Sequence, residues 1–251
     1  MPEMRHFLHL AYNGAPFHGW QYQPNAISVQ ETIEQALATI LRRPTPITGA
    51  GRTDTGVNAR CMYAHFDTEQ PINDKRRLIG AINSLIGKDI VIYDIIDVAQ
   101  DAHARFDATS RTYKYFVSLQ RSPFDYPFRW TPPYSLNIEQ MNNAAQRLLD
   151  FTDFTSFSKL HTDVKTNNCR IDYAQWQCEG NDLVFTITAD RFLRNMVRAI
   201  VGTLVEVGRG KISNEDFSNI IREKNRCSAG ASVPGNALFL WDITYPYIHN
   251  Q

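Results

Sequence analysis

The stretch SVQETIEQALATILRR, residues 28–43, has the pattern of an amphipathic helix. Its apolar residues recur at intervals of three and four, which places them on one face of a helix. Ser28 and Glu31, three residues later, form a capping box that marks the helix start. The apolar-rich stretch HFLHLAY, residues 6–12, predicts a strand before this helix, and a loop rich in glycine and proline joins the two.

The next part of the chain completes a supersecondary unit. Strands are predicted around 47–52 and 61–67, followed by a helix near 74–86 and a strand at 89–98. The resulting order, β-α-β-β-α-β, is that of the ferredoxin-like unit.

The second half repeats this order. It is predicted to contain a strand at 111–119, a helix near 137–149, a hairpin at 169–189, a long helix at 190–207, a short extra helix at 213–224 and a strand at 238–245. We therefore predict an α+β fold of two ferredoxin-like (RRM-like) βαββαβ halves, residues 1–105 and 106–251, lying side by side. Two open sheets in this arrangement would leave a central cleft, where we expect the active site.

The charge of the chain is balanced, with 26 Lys and Arg against 26 Asp and Glu. A surface for a polyanion must therefore come from local segregation of charge. Residues 191–226 provide some, because they carry eight basic and four acidic side chains. Within the predicted helix at 190–207, Arg191, Arg194, Asn195 and Arg198 gather opposite an apolar face. This basic face is either a solvated surface or a site for phosphate or carboxylate.

The remaining composition points to a reduced, intracellular environment. The four cysteines show no paired spacing of the zinc or redox type, so we expect free thiols and no metal site. The N-terminal residues lack the pattern of a signal peptide, and no run of about eighteen apolar residues occurs. We expect a cytoplasmic protein that does not associate with membranes.

The stretch GAGRTDTGVNAR, residues 49–60, contains an Asp-Thr-Gly triplet. Such triplets often form turns, because Asp bonds to nearby backbone and Gly accepts positive φ. Aspartic proteases also use this triplet, but they pair two aspartates that share one proton. The chain has no second copy, and the nearby Arg52 would oppose proton sharing. The residues themselves leave Asp54 as a turn residue, as a protease residue paired across a dimer, or as the carboxylate of another reaction.

Six ordered stretches resemble the tRNA pseudouridine synthase A family, and together they cover nearly the whole chain. They are YNGAPFHGWQYQ (12–23), SVQETIEQAL (28–37), GAGRTDTGV (49–57), HARFDATSRTYKY (103–115), DFTSF (153–157) and FLRNMVRAIVGTLVEVG (192–208). The resemblance implies an isomerase that converts uridine to pseudouridine at positions 38, 39 and 40 of the tRNA anticodon stem-loop. It further implies that no cofactor is required and that the enzyme is a homodimer.

The resemblance also implies roles for particular residues. Asp54 matches the catalytic aspartate, which acts either as a nucleophile or as a base. Arg198 matches an arginine expected to form a salt bridge that keeps this carboxylate ionised, because desolvation alone would raise its pKa. Tyr113 matches a tyrosine expected to stack on the flipped target base, although its alternation with Tyr115 is equally typical of a core strand. Arg52 matches an arginine expected to bind phosphate or to help hold the flipped nucleotide, although it could simply be a surface cation beside a turn. Apart from the resemblance, Arg194 and Arg209 are expected to contact phosphates of the tRNA.

The chain departs from the family pattern at four positions: Asn58 stands at a usual histidine, Met62 at a usual glutamine, Gly87 at a usual proline and Ala237 at a usual glycine. These changes bear on RNA contacts and loop shape. The loop within residues 12–23 also contains Trp20, which could serve as a stacking platform or could anchor the loop by packing. A non-catalytic RNA-binding module is the main alternative function, because ferredoxin-like sheets also form RRM domains, but the typical aromatic-rich RNA-binding strand is absent from the sequence.

Overall fold

The computed structural model describes residues 4–123, 127–159 and 166–248. Within these residues the chain forms a mixed α/β fold with eight strands and five α-helices. It divides into two compact units, Met1–Thr109 with Leu240–Gln251, and Ser110–Phe239. The last residues of the chain, from Leu240 onward, group with the first unit.

The first unit contains the elements in the predicted order. They are β1 (Met4–Tyr12), α1 (Val29–Leu41), β2 (Thr48–Gly49), β3 (Asn58–Thr68), α2 (Lys75–Leu85) and β4 (Ile90–Asp97), and most of the last strand of the chain, β8 (Leu238–Thr244). β1 pairs antiparallel with both β3 and β4, β2 pairs with β3, and β8 is also hydrogen-bonded to β3.

The start of α1 follows its sequence signal. The Ser28 hydroxyl accepts a hydrogen bond from the backbone N–H of Glu31 at 3.2 Å, so the predicted N-cap is confirmed. Of the apolar face, Val29, Ile33 and Leu37 have no exposed surface, and Ala36 is 4% exposed. Burial of this face, as expected for an amphipathic helix, contributes to the core of the first unit.

The second unit contains β5 (Ser110–Ser118), α3 (Ile138–Gln146), β6 (Ile171–Glu179), β7 (Asp182–Ala189), α4 (Met196–Gly208) and α5 (Asn214–Arg222). β7 lies between β5 and β6 and pairs antiparallel with both. Eleven of the thirteen residues of α4 are buried, so this helix forms the centre of the core of its unit.

The predicted start of the long helix is wrong. The helix expected at 190–207 begins only at Met196, because Asn195 has a φ of 66° and so cannot continue a right-handed helix. Arg191 and Arg194 therefore precede the helix, and they do not share a helical face with Arg198.

The described residues contain no helix that is long and apolar enough to span a membrane.

Candidate active site

Asp54 lies in a tight turn between β2 and β3. The backbone N–H of Val57 donates to the carbonyl of Asp54 at 3.1 Å, and Gly56 has a φ of 75°, a conformation that favours glycine. Asp54 is half-buried, whereas Arg52 is exposed. The turn uses the backbone of Asp54, so a role in turn formation and a role for the carboxylate are compatible.

The loop at Tyr12–Trp20 fixes this turn on both sides. The hydroxyls of Tyr12 and Thr53 lie 2.8 Å apart, and the backbone N–H of Trp20 donates to the Thr53 carbonyl at 3.3 Å. On the other side, the Gly56 N–H donates to the carbonyl of Phe17 at 3.4 Å. The residue that carries the candidate carboxylate is thus held by contacts to a loop about forty residues earlier in the chain.

Trp20 anchors this loop by packing. Only 3% of its surface is exposed, and its ring lies against the backbone of Gly49, where a Cβ would come within 2.5 Å of the indole. Of the two roles considered from the sequence, the structure supports the packing role.

The unusual Asn58 has a defined structural role. The residue is buried, and its Oδ1 atom accepts a hydrogen bond from the Gly14 N–H at 2.8 Å. It therefore adds a further link between the Asp54 loop and the Tyr12–Trp20 loop. Of the other departures, Met62 and Ala237 are buried, and Gly87 has a φ of 77°, which proline cannot adopt.

Tyr113 and Tyr115 lie on β5 but differ in burial. Tyr115 is fully buried, its hydroxyl donates to the Pro234 carbonyl at 3.1 Å, and burial raises the pKa of its phenol far above the usual value. Tyr113 is only half-buried, and its ring meets that of Phe192 edge to face, with centroids 5.0 Å apart. The core role therefore belongs to Tyr115, while Tyr113 retains some accessible surface.

Arg198 is tied to the chain segment before the last strand. Its Nε atom donates to the Val233 carbonyl at 2.8 Å, and the Val233 N–H donates to the Arg198 carbonyl at 3.2 Å. The residue is half-buried on the first turn of α4. The first bond restricts the position of the guanidinium, and the second ties the backbone of Arg198 to the same segment.

Sequence reasoning missed the network that shapes this segment. Arg226 donates to the carbonyls of Ala229 and Gly230, and also to the Ser232 hydroxyl at 3.0 Å. The Asn195 side chain donates to the same hydroxyl at 2.7 Å. Arg226 was counted only as one charge of a basic segment, because no sequence pattern distinguishes an arginine that binds carbonyls from one on a surface.

Much of the basic charge at 191–226 is compensated within the second unit. The ion pairs are Arg209 and Lys211 with Glu206, Arg222 with Glu215, and Lys224 with Asp153. Arg209 also stacks over the Tyr134 ring at 4.0 Å from its centroid. By contrast, Arg194 is exposed and precedes α4. The local excess of positive charge is therefore smaller than the residue count indicates.

Two further features concern possible binding sites elsewhere in the chain. In the described part of the chain, no group of three or more His, Cys, Asp or Glu side chains is arranged to hold a metal ion. A groove of about 510 Å³ lies beside Phe17 in the first unit, with Ile27, Ile86 and Lys88 in its wall, and none of the predicted site residues lines it.

Comparison with known proteins identifies the protein family to which the chain belongs. A family model described as tRNA pseudouridine synthase matches residues 144–246. The relatives extend this match to nearly the whole chain: tRNA pseudouridine synthase A of Parabacteroides distasonis is 59% identical over 242 residues, which is 96% of each chain. The Bacteroides fragilis protein of the same name is 55% identical over 98% of each chain, and that of Bacillus subtilis is 37% identical over 94% of this chain and 97% of its own. The chain belongs to the tRNA pseudouridine synthase A family.

Among solved structures, a chain of a Cbf5-Nop10-Gar1 complex matches 79% of this chain and 54% of its own length, with 11% identity and a TM-score of 0.32. A similarity at that score carries no argument here.

Proposed function

We propose that the protein isomerises uridine to pseudouridine at positions 38, 39 and 40 of the anticodon stem-loop of tRNA, with Asp54 as the catalytic carboxylate and without a cofactor. As a member of its family it is a pseudouridine synthase, an isomerase that acts on tRNA. The observation that carries the proposal is the position of Asp54, which is half-buried on a turn held in place from both sides.

The reaction needs a carboxylate in a fixed position. The bond between uracil N1 and ribose C1′ breaks, the base turns, and its C5 atom joins C1′; C5 then loses its hydrogen as a proton, and N1 gains a proton. No electrons are gained or lost overall, so the balance of the reaction requires neither a redox partner nor ATP. An ionised aspartate can act either as nucleophile or as base on the sugar, and both routes require accurate placement of its oxygens.

We assign a supporting role to Arg198. A carboxylate that loses contact with water is protonated more easily, and a nearby guanidinium opposes this shift. The hydrogen bond from the Arg198 Nε atom to the Val233 carbonyl restricts the guanidinium, which is consistent with a fixed electrostatic role. The ion pair between Arg198 and Asp54 is part of the proposal.

Tyr113 is proposed to stack on the target base once it has left the RNA helix. Its partial exposure and the edge-to-face contact with Phe192 leave an oriented ring, in contrast to the buried Tyr115. Arg52, Arg194 and Arg209 are proposed to bind phosphates, with a smaller contribution from Arg209 because Glu206 partly neutralises it.

Three further expectations belong to the same proposal. The order β-α-β-β-α-β in residues 4–97, and its repetition with one added helix in 110–244, support two ferredoxin-like halves. The homodimer and the cytoplasmic location follow from the resemblance and from the composition, respectively.

The test is release of tritium from tRNA labelled at uridine C5, followed by mapping of pseudouridine at positions 38, 39 and 40. Asp54→Asn keeps the turn and its backbone bond, so it should fold and bind tRNA but form no detectable pseudouridine. Thr55→Ala alters the next residue of the same turn, which is exposed, and should retain most of the activity. Appreciable turnover by folded Asp54→Asn would show that this carboxylate is not catalytic.

A further inference from the structure

An exposed arginine stacks on a tryptophan just after the candidate catalytic loop. The guanidinium of Arg60, on β3, lies 4.7 Å from the centroid of the Trp241 ring on β8, and both residues belong to the first unit. Arg60 is exposed and Trp241 is half-buried. Stacking on an aromatic ring holds a guanidinium in one orientation and leaves the N–H groups at its edge available to an acceptor.

The strand at this point is irregular, and the irregularity lies between Ala59 and Met62, the interval that contains Arg60. Leu10 pairs with Met62 and Tyr12 with Ala59, so β3 has one more residue than β1 over this interval. An additional residue of this kind is a β-bulge, which redirects side chains and occurs frequently beside active sites. Arg60, which lies within this interval, carries a positive charge.

The nearest carboxylate on β8 does not neutralise this cation. Asp242 follows Trp241, and successive side chains of a strand point to opposite faces. Asp242 lies beside Cys61, and burial together with this carboxylate raises the pKa of that thiol to about 12. Within the described residues, Arg60 forms no ion pair, and neither does the exposed Arg52 on the other side of the turn.

Arg60 is also close to Asp54 along the chain. A β-turn brings Cα atoms three residues apart to within about 7 Å, and three strand residues add about 10 Å. The Cα atoms of Asp54 and Arg60 are thus separated by no more than about 17 Å. Arginine has a long side chain, so its guanidinium can act at a distance from its own Cα atom. Two uncompensated cations, Arg52 and Arg60, therefore flank the candidate catalytic residue.

We propose that Arg60, oriented by Trp241, binds a backbone phosphate of the tRNA strand that carries the target uridine. The ligand is a phosphate and not a base, because one face of the planar guanidinium is covered by Trp241 and its edge donors match phosphate oxygens in a two-point contact. This inference rests on the proposed function and adds to it a binding residue outside the turn.

The test measures binding of an unmodified tRNA transcript by fluorescence anisotropy from about 50 to 200 mM salt. Arg60→Ala should weaken binding about fivefold at low salt and reduce the slope of log affinity against log salt by about 1. In turnover assays it should raise KM and leave kcat within about twofold, as expected for a lost binding contact. Arg60→Lys should recover part of the affinity, because it restores charge without the planar fork.

Two comparisons make the result specific. Arg76→Ala removes an exposed arginine of α2 in the same unit, and it should change affinity less than about twofold because screening weakens distant charges. Trp241→Leu keeps the charge of Arg60 but removes its support, so it should weaken binding in the same direction. The double variant should then bind about as well as Arg60→Ala alone, since the two residues act as one unit.

A thermal unfolding transition should first show that Arg60→Ala is folded. The inference is overturned if this folded variant matches Arg76→Ala in tRNA affinity and in the slope of log affinity against log salt. It is also overturned if the effects of Arg60→Ala and Trp241→Leu simply add. Failure of the proposed function has a different signature, because the wild-type protein would then form no pseudouridine in the turnover assay, whatever the variants do.

Discussion

Replacement of Gly19 by alanine tests whether the Tyr12–Trp20 loop positions Asp54. Gly19 has a φ of 92°, and a Cβ at this position would lie 2.4 Å from the carbonyl oxygen of Thr53, the residue immediately before Asp54. Real Cβ contacts stay beyond 3.0 Å, so this carbonyl must move by about 0.6 Å or more. The displacement acts on backbone, which cannot relax as a flexible side chain can.

The substitution has two separable costs. Positive φ costs an alanine about 1–2 kcal/mol of unfolding free energy wherever it occurs. The displacement of Thr53 adds a positional error next to the reacting group, and an error near 1 Å can cost about a hundredfold in rate. We therefore expect Gly19→Ala to lower kcat for pseudouridine formation by between about tenfold and a hundredfold.

Gly87→Ala is the matched control. Gly87 lies in the same unit with a φ of 77°, but nothing lies within 4 Å of its added Cβ. It should lose about 1–2 kcal/mol in urea unfolding, with kcat unchanged. If folded Gly19→Ala turns over as fast as Gly87→Ala, the loop does not position Asp54 and the reasoning is refuted.

Three further predictions concern charge and stacking. Arg198→Ala should lower kcat by at least about a hundredfold, and Arg198→Lys should recover only part of it in the tritium-release assay; full activity of the alanine variant would exclude an electrostatic role. Tyr113→Phe should retain more tRNA affinity than Tyr113→Ala, since the ring supplies stacking worth about 1–3 kcal/mol, and equal losses in anisotropy titrations would contradict a stacking role. Burial lowers the pKa of His65 to about 4, and its Nδ1 atom accepts the Ala104 N–H at 3.1 Å, a bond that protonation breaks. Because the folded state binds the proton less readily, this residue's contribution to stability is complete above about pH 6.5 and is lost as the pH falls towards 4. The free energy of unfolding measured in urea should therefore fall over that pH window, and the fall should be smaller in His65→Gln. If the variant shows the same fall, other groups cause it.

The regular elements could be predicted because their signals are local. The capping box at Ser28 and the apolar spacing of α1 lie within one stretch of chain, and the helix begins where they indicate. The start of α4 could not be predicted in this way. Apolar spacing continues back through residues 192 and 193, but Asn195 adopts a left-handed conformation and bonds to Ser232, which is 37 residues away.

The residues of the candidate site were predicted by resemblance, and their environment was not. Thr53 is held by Tyr12, 41 residues earlier, and no periodicity or local pattern specifies such a pair. Arg226 illustrates the same limit, because its donors reach two carbonyls and a hydroxyl that only the folded loop brings together. Sequence patterns specify which residues form elements, whereas these contacts depend on how loops meet after the elements have formed.

From the sequence, a turn-forming role and a catalytic role for Asp54 are alternatives. In the structure the two roles are compatible, because the turn is formed by backbone groups. The turn is closed by a hydrogen bond to the backbone carbonyl of Asp54 and by the positive φ of Gly56. A carboxylate that reacts at one carbon atom must nevertheless be held to within a fraction of an ångström. A short turn cannot provide this by itself, because its own hydrogen bond fixes only a few backbone dihedrals. The bonds from Tyr12, Phe17 and Trp20 supply the missing restraint, which explains why the Asp-Thr-Gly triplet occurs beside a glycine-rich loop packed closely enough to exclude a Cβ at Gly19.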